Sequence, residues 1–466
     1  MTENFWKDKY PVGIAAEINP DQYPNIQAVL KESCQRFADK PAFSNMGKTI
    51  TYGELYELSG TFAAYLQQNT DLQPGDRIAV QLPNVLQYPV VVFGALRAGL
   101  VVVNTNPLYT AREMEHQFND SGAKALVSLA NMAHLAEQVL PKTGIKTVII
   151  TEVGDMLSPL KRLLVNSVVK HVKKMVPAYN LPQAVKFTAA MAKGRGQSVK
   201  EAAPANGEIA VLQYTGGTTG LAKGAMLTHG NLVANELLIR QGFGIDVNPD
   251  DVIVSWLPLY HDMGLIGGLL QPIFSGVPCI LMSPAYFLGR PLRWLEAISE
   301  YGGTISGGPD FAYRLCSERV SESALERLDL SGWRVAYSGS EPIRPDTLER
   351  FAATFARVGF DADALYASYG LAEATLFQVA AEIALAHHER WDGKGYPNQL
   401  SGQAIPLSGR IVTIVDFYDA LTMDRVYRPA FSHEKALEML LAERGKAFDP
   451  DIVDCFLRNS AAISAL

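Results

Sequence analysis

The sequence predicts an α/β protein built on layered, largely parallel sheets with helices on their faces, followed by a small, mostly α-helical tail. Three observations carry that prediction. Between Thr51 and Ile150, short apolar strands alternate with helical patterns. At 208–213 an apolar strand runs into a loop dense in Gly, Thr and Lys. After Gln378 the strand-like runs give way to helical ones.

The elements follow in order. Tyr52 to Gln68 has the spacing of an amphipathic helix. Arg77 to Gln81 reads as a strand after the turn Pro74-Gly75-Asp76. Tyr88 to Ala98 reads as a helix, and Leu100 to Val103 as a buried strand. Met114 to Asn119 is helical, while Ala125 to Ser128 and Lys146 to Thr151 are strands. Strands that are apolar throughout, with helices between them, imply a parallel sheet covered on both faces. In the tail, Gln378 to His388 and Glu434 to Glu443 read as helices, and Arg410 to Asp416 as strand or helix.

The chain has 466 residues, enough for about three domains. It is 48% hydrophobic and 19% charged, an ordinary globular composition that excludes disordered and fibrous classes. A net charge of −7 argues against a partner of nucleic acid. Cys34, Cys279, Cys316 and Cys455 lie far apart, which excludes a disulfide framework and a zinc ribbon. The first residues lack a secretory pattern, and the apolar run Val90 to Val103 is broken by Arg97. A cytoplasmic chain is the expectation.

Residues 156–200 differ in composition. They carry nine Lys or Arg and no Asp or Glu. Leu160, Leu163, Leu164, Val168 and Val172 fall near helical spacing. Two readings follow: a basic amphipathic helix at the inner membrane surface, or a surface helix that packs its apolar stripe on the core.

The chemistry concentrates in Tyr214 to Gly224. Gly216, Gly217 and Gly220 allow a left-handed backbone and close approach to a ligand. Thr215, Thr218 and Thr219 offer hydroxyl donors, and Lys223 a point charge. That set suits phosphate oxygens, although the Gly-Lys-Ser/Thr ending of a Walker loop is absent. The plain alternative is a Gly-rich strand-to-helix loop.

Continued by Ala225-Met-Leu-Thr-His-Gly-Asn231, this loop resembles the signature of the acyl-adenylate-forming superfamily, whose members activate carboxylic acids with ATP. Residues 1 to about 241 resemble a bacterial long-chain fatty acyl-CoA synthetase, through Phe5 to Ile14, Tyr52-Gly-Glu54 and Asn104 to Tyr109. Residues from about 242 to 377 resemble fatty acyl-AMP ligases, through Ser255 to Gly268, Ser306 to Pro309, Ser338 to Pro342 and Tyr366 to Phe377.

The resemblance implies an adenylating N-terminal domain over 1–377, incomplete at its end. It implies activation of a long-chain fatty acid to acyl-AMP, with CoA or an acyl carrier protein as acceptor. Thr215 to Lys223 would hold the β and γ phosphates. Glu373 matches a Mg²⁺ ligand. Tyr369 matches the aromatic on adenine, within a motif that includes Gly370 and Thr375. Gly339, Ser340 and Glu341 match the adenine-side wall. His261 matches a residue beside the reacting carboxylate, and Met263 to Phe274 an acyl-tunnel wall. Lys223, His261 and Glu373 are the candidate catalytic residues. Taken singly, His261 reads equally as a core histidine and Glu373 as a helix-face carboxylate.

The superfamily continues with a ribose-binding Gly-Asp, an Arg-rich hinge and a catalytic lysine. None of these follows Phe377. Gly75-Asp76 and Gly154-Asp155 lie far upstream in other contexts. Impaired turnover is the expectation.

Residues 378–458 instead resemble the second half of an HD-GYP phosphodiesterase, a metal-dependent hydrolase of cyclic dinucleotides. The resemblance rests on Ala380 to Pro397, Gly409 to Val412, Asp416 to Leu421 and Phe448-Asp-Pro450. His387, His388 and Asp416 match metal ligands suited to Fe or Mn. Asp392, Gly393, Gly395, Tyr396 and Pro397 match a substrate-facing loop. The sequence thus reads as a chimera, with 378–466 as a second segment. The alternative functions are a cyclic di-GMP phosphodiesterase-like metal protein and a non-catalytic nucleotide binder.

Overall fold

The computed structural model describes residues 18–215, 222–244, 248–368, 370, 375, 386, 388–396, 399–405, 407–422 and 431–460. Helix starts follow local chemistry. Helices α1 (Ile26–Arg36), α2 (Tyr52–Asn69), α3 (Gln87–Arg97), α4 (Ala111–Asp120), α5 (Ala133–Val139), α6 (Pro159–Ser167), α7 (Phe187–Gly194) and α8 (His229–Gly242) occupy the first half. Capping boxes open three of them: Thr51 with Glu54 at α2, Thr110 with Glu113 at α4, and Thr228 with Asn231 at α8. Each box satisfies two backbone donors that the helix itself leaves unpaired.

The strands are β1 (Pro41–Asn45), β2 (Lys48–Thr51), β3 (Arg77–Gln81), β4 (Val101–Asn104), β5 (Ala123–Leu129), β6 (Thr147–Thr151), β7 (Val185–Lys186), β8 (Ile209–Thr215), β9 (Lys223–Thr228), β10 (Ile253–Ser255), β11 (Cys279–Leu281), β12 (Ile305–Gly308), β13 (Val335–Ser338) and β14 (Leu365–Ala367). They form two seven-stranded sheets. One has the order β14-β13-β12-β10-β11-β1-β2, the other β7-β6-β5-β3-β4-β8-β9. Each is parallel except for an antiparallel hairpin at one edge, β1/β2 or β8/β9.

The parallel arrangement expected from the alternating pattern is therefore present. Its physical basis is burial on both faces. All residues of β4 are buried, and so is every residue of α3. One large core joins Ile78 and Val80 of β3 to Phe43, Ile253 and Cys279 of the other sheet, with α3 packed among them. A second core places Met114, Phe118, Ala133 and Ala136 on the opposite face of β3, β4 and β5.

Two local readings change. The Gly-rich segment does not lead into a helix: β8 returns as β9, and Lys223 opens that strand. Residues 156–200 are not one helix. Helix α6 continues as a π-helical turn, Val168–Val172, and is followed by β7 and α7. Its leucine stripe does not pack on the core, because Leu160, Leu163 and Leu164 are 79%, 71% and 63% exposed.

In the tail, helices Leu407–Thr422, His433–Ala442 and Pro450–Arg458 share a small core of Ile414, Leu440, Ala447, Phe448 and Val453. Arg410 to Asp416 is thus helical. Most of Gln378 to His388 lies outside the described residues. No helix among the described residues is long and apolar enough to cross a membrane.

Candidate functional site

In open parallel sheets, ligands bind beyond the carboxyl ends of the strands. Among the described candidates, Thr215 and Gly339 to Glu341 lie at such strand ends. Thr215 ends β8 and pairs in register with Lys223, so the two close the base of the phosphate-type loop. Tyr214 donates from its hydroxyl to Asp120 Oδ2 at 2.6 Å, and His116 Nε2 lies 2.9 Å from the Ala222 carbonyl. These contacts hold both sides of the hairpin base against α4. Gly224 is needed there, because a Cβ would sit 2.8 Å from the Tyr214 ring.

A buried amide network joins this hairpin to the other sheet. Gln213 Nε2 donates to the Tyr260 carbonyl at 2.8 Å. Its Oε1 accepts from Asn104 Nδ2 at 2.9 Å. Tyr88 donates to Asn104 Oδ1 and the Leu259 carbonyl. Asn84 donates to the carbonyls of Leu257 and Met282 and accepts from the Leu259 amide. All four side chains are buried. No local motif marks them as functional. Their signal was an amide or phenol inside an apolar run, which must find a partner when buried.

The network delivers His261 beside the end of β8. His261 pairs through Nδ1 with Asp262 Oδ1, and its side chain is 56% exposed. Partial burial lowers its basicity, but the hydrogen bond and charge of Asp262 outweigh this and raise its pKa above the ordinary value. His261 is therefore a solvent-exposed residue and not a core histidine. The following helix, 262–275, has a π-helical centre at Leu265–Leu270 and is buried from Met263 to Phe274. Gly264 lets it lie against the preceding loop, since a Cβ would meet the Pro258 carbonyl at 2.0 Å. The stretch expected as a tunnel wall is thus a close-packed helix between β10 and α8. On α8, Glu236 is fully buried, and desolvation holds its carboxyl well above the usual range.

The adenine-side candidates stand at the ends of β13 and β14. Gly339 lies so close to β14 that a Cβ would be 2.4 Å from Ser368 Oγ. Ser340 has φ 68°, an uncommon left-handed value for a non-glycine residue, and its Oγ meets Met263 Sδ. Glu341 Oε1 accepts from the Phe311 amide at 2.7 Å. Thr375 is buried with φ 57°, and Gly370 is half-buried. Contacts therefore run from Lys223 through Gln213 and Tyr260 to the His261 loop, and from Met263 to Ser340 and Gly339. Gly216, Gly217, Thr218, Thr219, Gly220, Tyr369, Glu373, His387 and Pro397 lie outside the described residues.

Both upstream Gly-Asp pairs close turns. Asp76 accepts from the Gln73 amide and pairs with Lys124. Asp155 accepts from Thr151 and the Glu152 amide. In the tail, His388 stacks on Tyr396 at 4.9 Å, and Asp416 is exposed. Asp392 accepts from Arg390 and the Lys394 amide. Among the described residues, no three His, Cys, Asp or Glu side chains gather as a metal set.

The model of a family described as AMP-binding enzyme matches residues 30–419, across the junction placed at residue 377. The chain is 42% identical over 372 residues to a long-chain-fatty-acid–CoA ligase of Escherichia coli O157:H7, covering 79% of this chain. It spans 64% of that relative's length. It is 34% identical over 338 residues to a medium-chain-fatty-acid–[acyl-carrier-protein] ligase of Teredinibacter turnerae, covering 70% of this chain and 51% of the relative. A crystal structure of a fatty acyl-adenylate ligase from L. pneumophila, in complex with acyl adenylate and pyrophosphate, matches with a TM-score of 0.62 and 30% identity. That match covers 82% of this chain and 62% of the other. With two parallel sheets, a Gly-Thr hairpin at the end of β8 and a match over most of its length, the chain belongs to the AMP-binding enzyme family.

Proposed function

We propose that the chain activates a long-chain fatty acid with ATP to form acyl-AMP. The observation that carries this reading is the 2.8 Å bond from Gln213 Nε2 to the Tyr260 carbonyl. It holds the phosphate-type hairpin beside the loop that presents His261. The names of the relatives support the substrate class and leave both CoA and an acyl carrier protein as acceptors.

In the reaction, a carboxylate oxygen attacks the α-phosphorus. The new O–P bond forms as the bond to pyrophosphate breaks. The protein's task is to position the groups and to offset charge. Lys223, exposed at the start of β9, would sit against the β and γ phosphate oxygens. Thr215 would add a hydroxyl at the other side of the hairpin base. His261, held by Asp262, would orient the acyl carboxylate. Gly339 to Glu341 would border the base. The carboxylate of Glu373 fits a hard cation, and Mg²⁺ when bound would offset charge on the phosphates.

The residues after Phe377 carry no ribose-binding Gly-Asp, hinge or lysine motif. A polypeptide of these 466 residues alone is therefore expected to adenylate more slowly than the relatives it matches. We also expect the tail to hydrolyse no cyclic dinucleotide, because His387, His388 and Asp416 lack the His-Asp pair and the further upstream ligand of an HD-GYP domain, which leaves too few anchors for a metal-bridging hydroxide. Contact of 156–200 with the inner membrane surface is proposed on the composition of that segment, independently of adenylation.

The test is fatty-acid-dependent exchange of labelled pyrophosphate into ATP, with calorimetry of ATP and adenosine. Lys223→Ala removes only a phosphate contact, so it should weaken ATP roughly tenfold while sparing adenosine. Equal losses for both ligands would refute the phosphate assignment. Tight ATP binding with no exchange for any acid would leave the chain a nucleotide binder.

A further inference from the structure

Helix α6 is built inside out for a surface helix. Such a helix normally turns its apolar stripe to the core and its polar face to water. Here the body-facing tie is polar. Asn166 Oδ1 accepts from the Gly154 amide at 2.8 Å. Asn166 Nδ2 donates to Glu152 Oε2 at 3.1 Å and reaches Asp155 Oδ1 at 3.4 Å. The outward stripe is apolar: Leu160, Leu163 and Leu164 are exposed, and Val172 and Met175 extend the exposed apolar surface to the end of the π-helical turn.

Charge surrounds that stripe. Lys161, Arg162, Lys170, Lys173 and Lys174 are all exposed. No acid occurs anywhere in 156–200, and Glu152 and Asp155, the acids that precede α6, are engaged by Asn166. The patch also reaches the β1–β2 turn. Lys161 Nζ lies 3.5 Å from where a Cβ of Gly47 would stand, and the adjoining Met46 is half exposed.

We propose that α6 and its π-helical continuation dock the protein on an anionic lipid surface. The leucines enter the boundary between headgroups and acyl chains, and the flanking cations face lipid phosphates. Charge complementarity selects this occupant. A second copy meeting the same face would bring two uniformly basic segments together, which opposes self-association. The docking itself stands on exposure and charge. Only its use, drawing an alkyl substrate from the same phase, rests on the proposed adenylation.

The full chain is tested by flotation with vesicles, in the absence of ATP and fatty acid. Vesicles of phosphatidylcholine are compared with ones holding about 30 mol % phosphatidylglycerol. Binding to the anionic vesicles is expected, and it should weaken as salt rises. Leu160→Ser, Leu163→Ser and Leu164→Ser together should lower partition roughly tenfold or more. Lys161→Gln with Lys170→Gln should lower it on anionic vesicles only. These side chains are solvent-exposed, so the thermal transition of each variant should match the parent's, and pyrophosphate exchange without vesicles reads adenylation separately. Unchanged flotation of the triple variant would overturn the proposal. So would self-association of the parent that the triple variant abolishes, which would assign the face to a second copy.

Discussion

Replacing Gly339 by alanine tests the geometry of the cleft at one atom. The new Cβ would stand 2.4 Å from Ser368 Oγ and 2.7 Å from the Ser368 carbonyl oxygen. The hydroxyl can rotate away, but the carbonyl cannot. Non-bonded heavy atoms rest at about 3.5 Å, so the backbones must part by roughly 0.8 Å. The two strand ends are held by Ser368 N to the Ser338 carbonyl at 2.7 Å and by Ser368 Oγ to the same oxygen at 3.0 Å. Strand β14 is the edge of its sheet, so it is the partner that yields. Overpacking of this size costs about 1–3 kcal/mol. The displaced segment leads to Gly370 and Thr375, and a misplacement near 1 Å costs about 100-fold in rate. Urea unfolding should therefore show a lower midpoint for Gly339→Ala, and pyrophosphate exchange a fall of tens of fold. Adding Ser368→Gly removes the hydroxyl but leaves the carbonyl, so it should restore only part of either loss. An unchanged midpoint with exchange within twofold of the parent would refute the reasoning.

Two further outcomes are expected. His229 is buried, its Nδ1 faces the Ile26 amide at 3.5 Å, and burial holds its pKa at about 4. The unfolded chain titrates near 6.5 and so binds more protons between these values. Stability should fall as pH drops from about 6.5 to 4, by about 3 kcal/mol in total. Denaturant titrations should show that slope in the parent and a flatter one in His229→Gln; equal slopes would exclude His229 as the source. Incubating the protein with manganese and cyclic di-GMP should release no product, and turnover that His388→Ala abolishes would overturn that expectation.

Much of the fold was legible because its signals are local. The strand Arg77–Gln81 was read to the residue, and helix α2 to within one, because apolar spacing and turn residues act over a few positions. The Gly-Thr-Lys composition of 214–224 announced a phosphate-type loop for the same reason. Its return as a hairpin was not legible, because β9 exists only by pairing with β8. Likewise, the amides of Asn84, Asn104 and Gln213 looked like interruptions in apolar runs. Their partners are mostly supplied by chain more than 100 residues away in sequence or by neighbouring strands.

The amino-acid sequence by itself determined which segments form strands and helices, and which residue types are available for phosphate, carboxylate and cation. It also determined that 156–200 carries leucines and cations without acids. Tertiary structure decided which face of α6 meets water, because a helical stripe has no preferred direction until Asn166 finds Gly154, Glu152 and Asp155. It likewise decided that His261 is exposed beside the end of β8. A histidine's role depends on what surrounds it, and here Gln213, Tyr88 and Asn84 bring its loop from one sheet to the strand ends of the other.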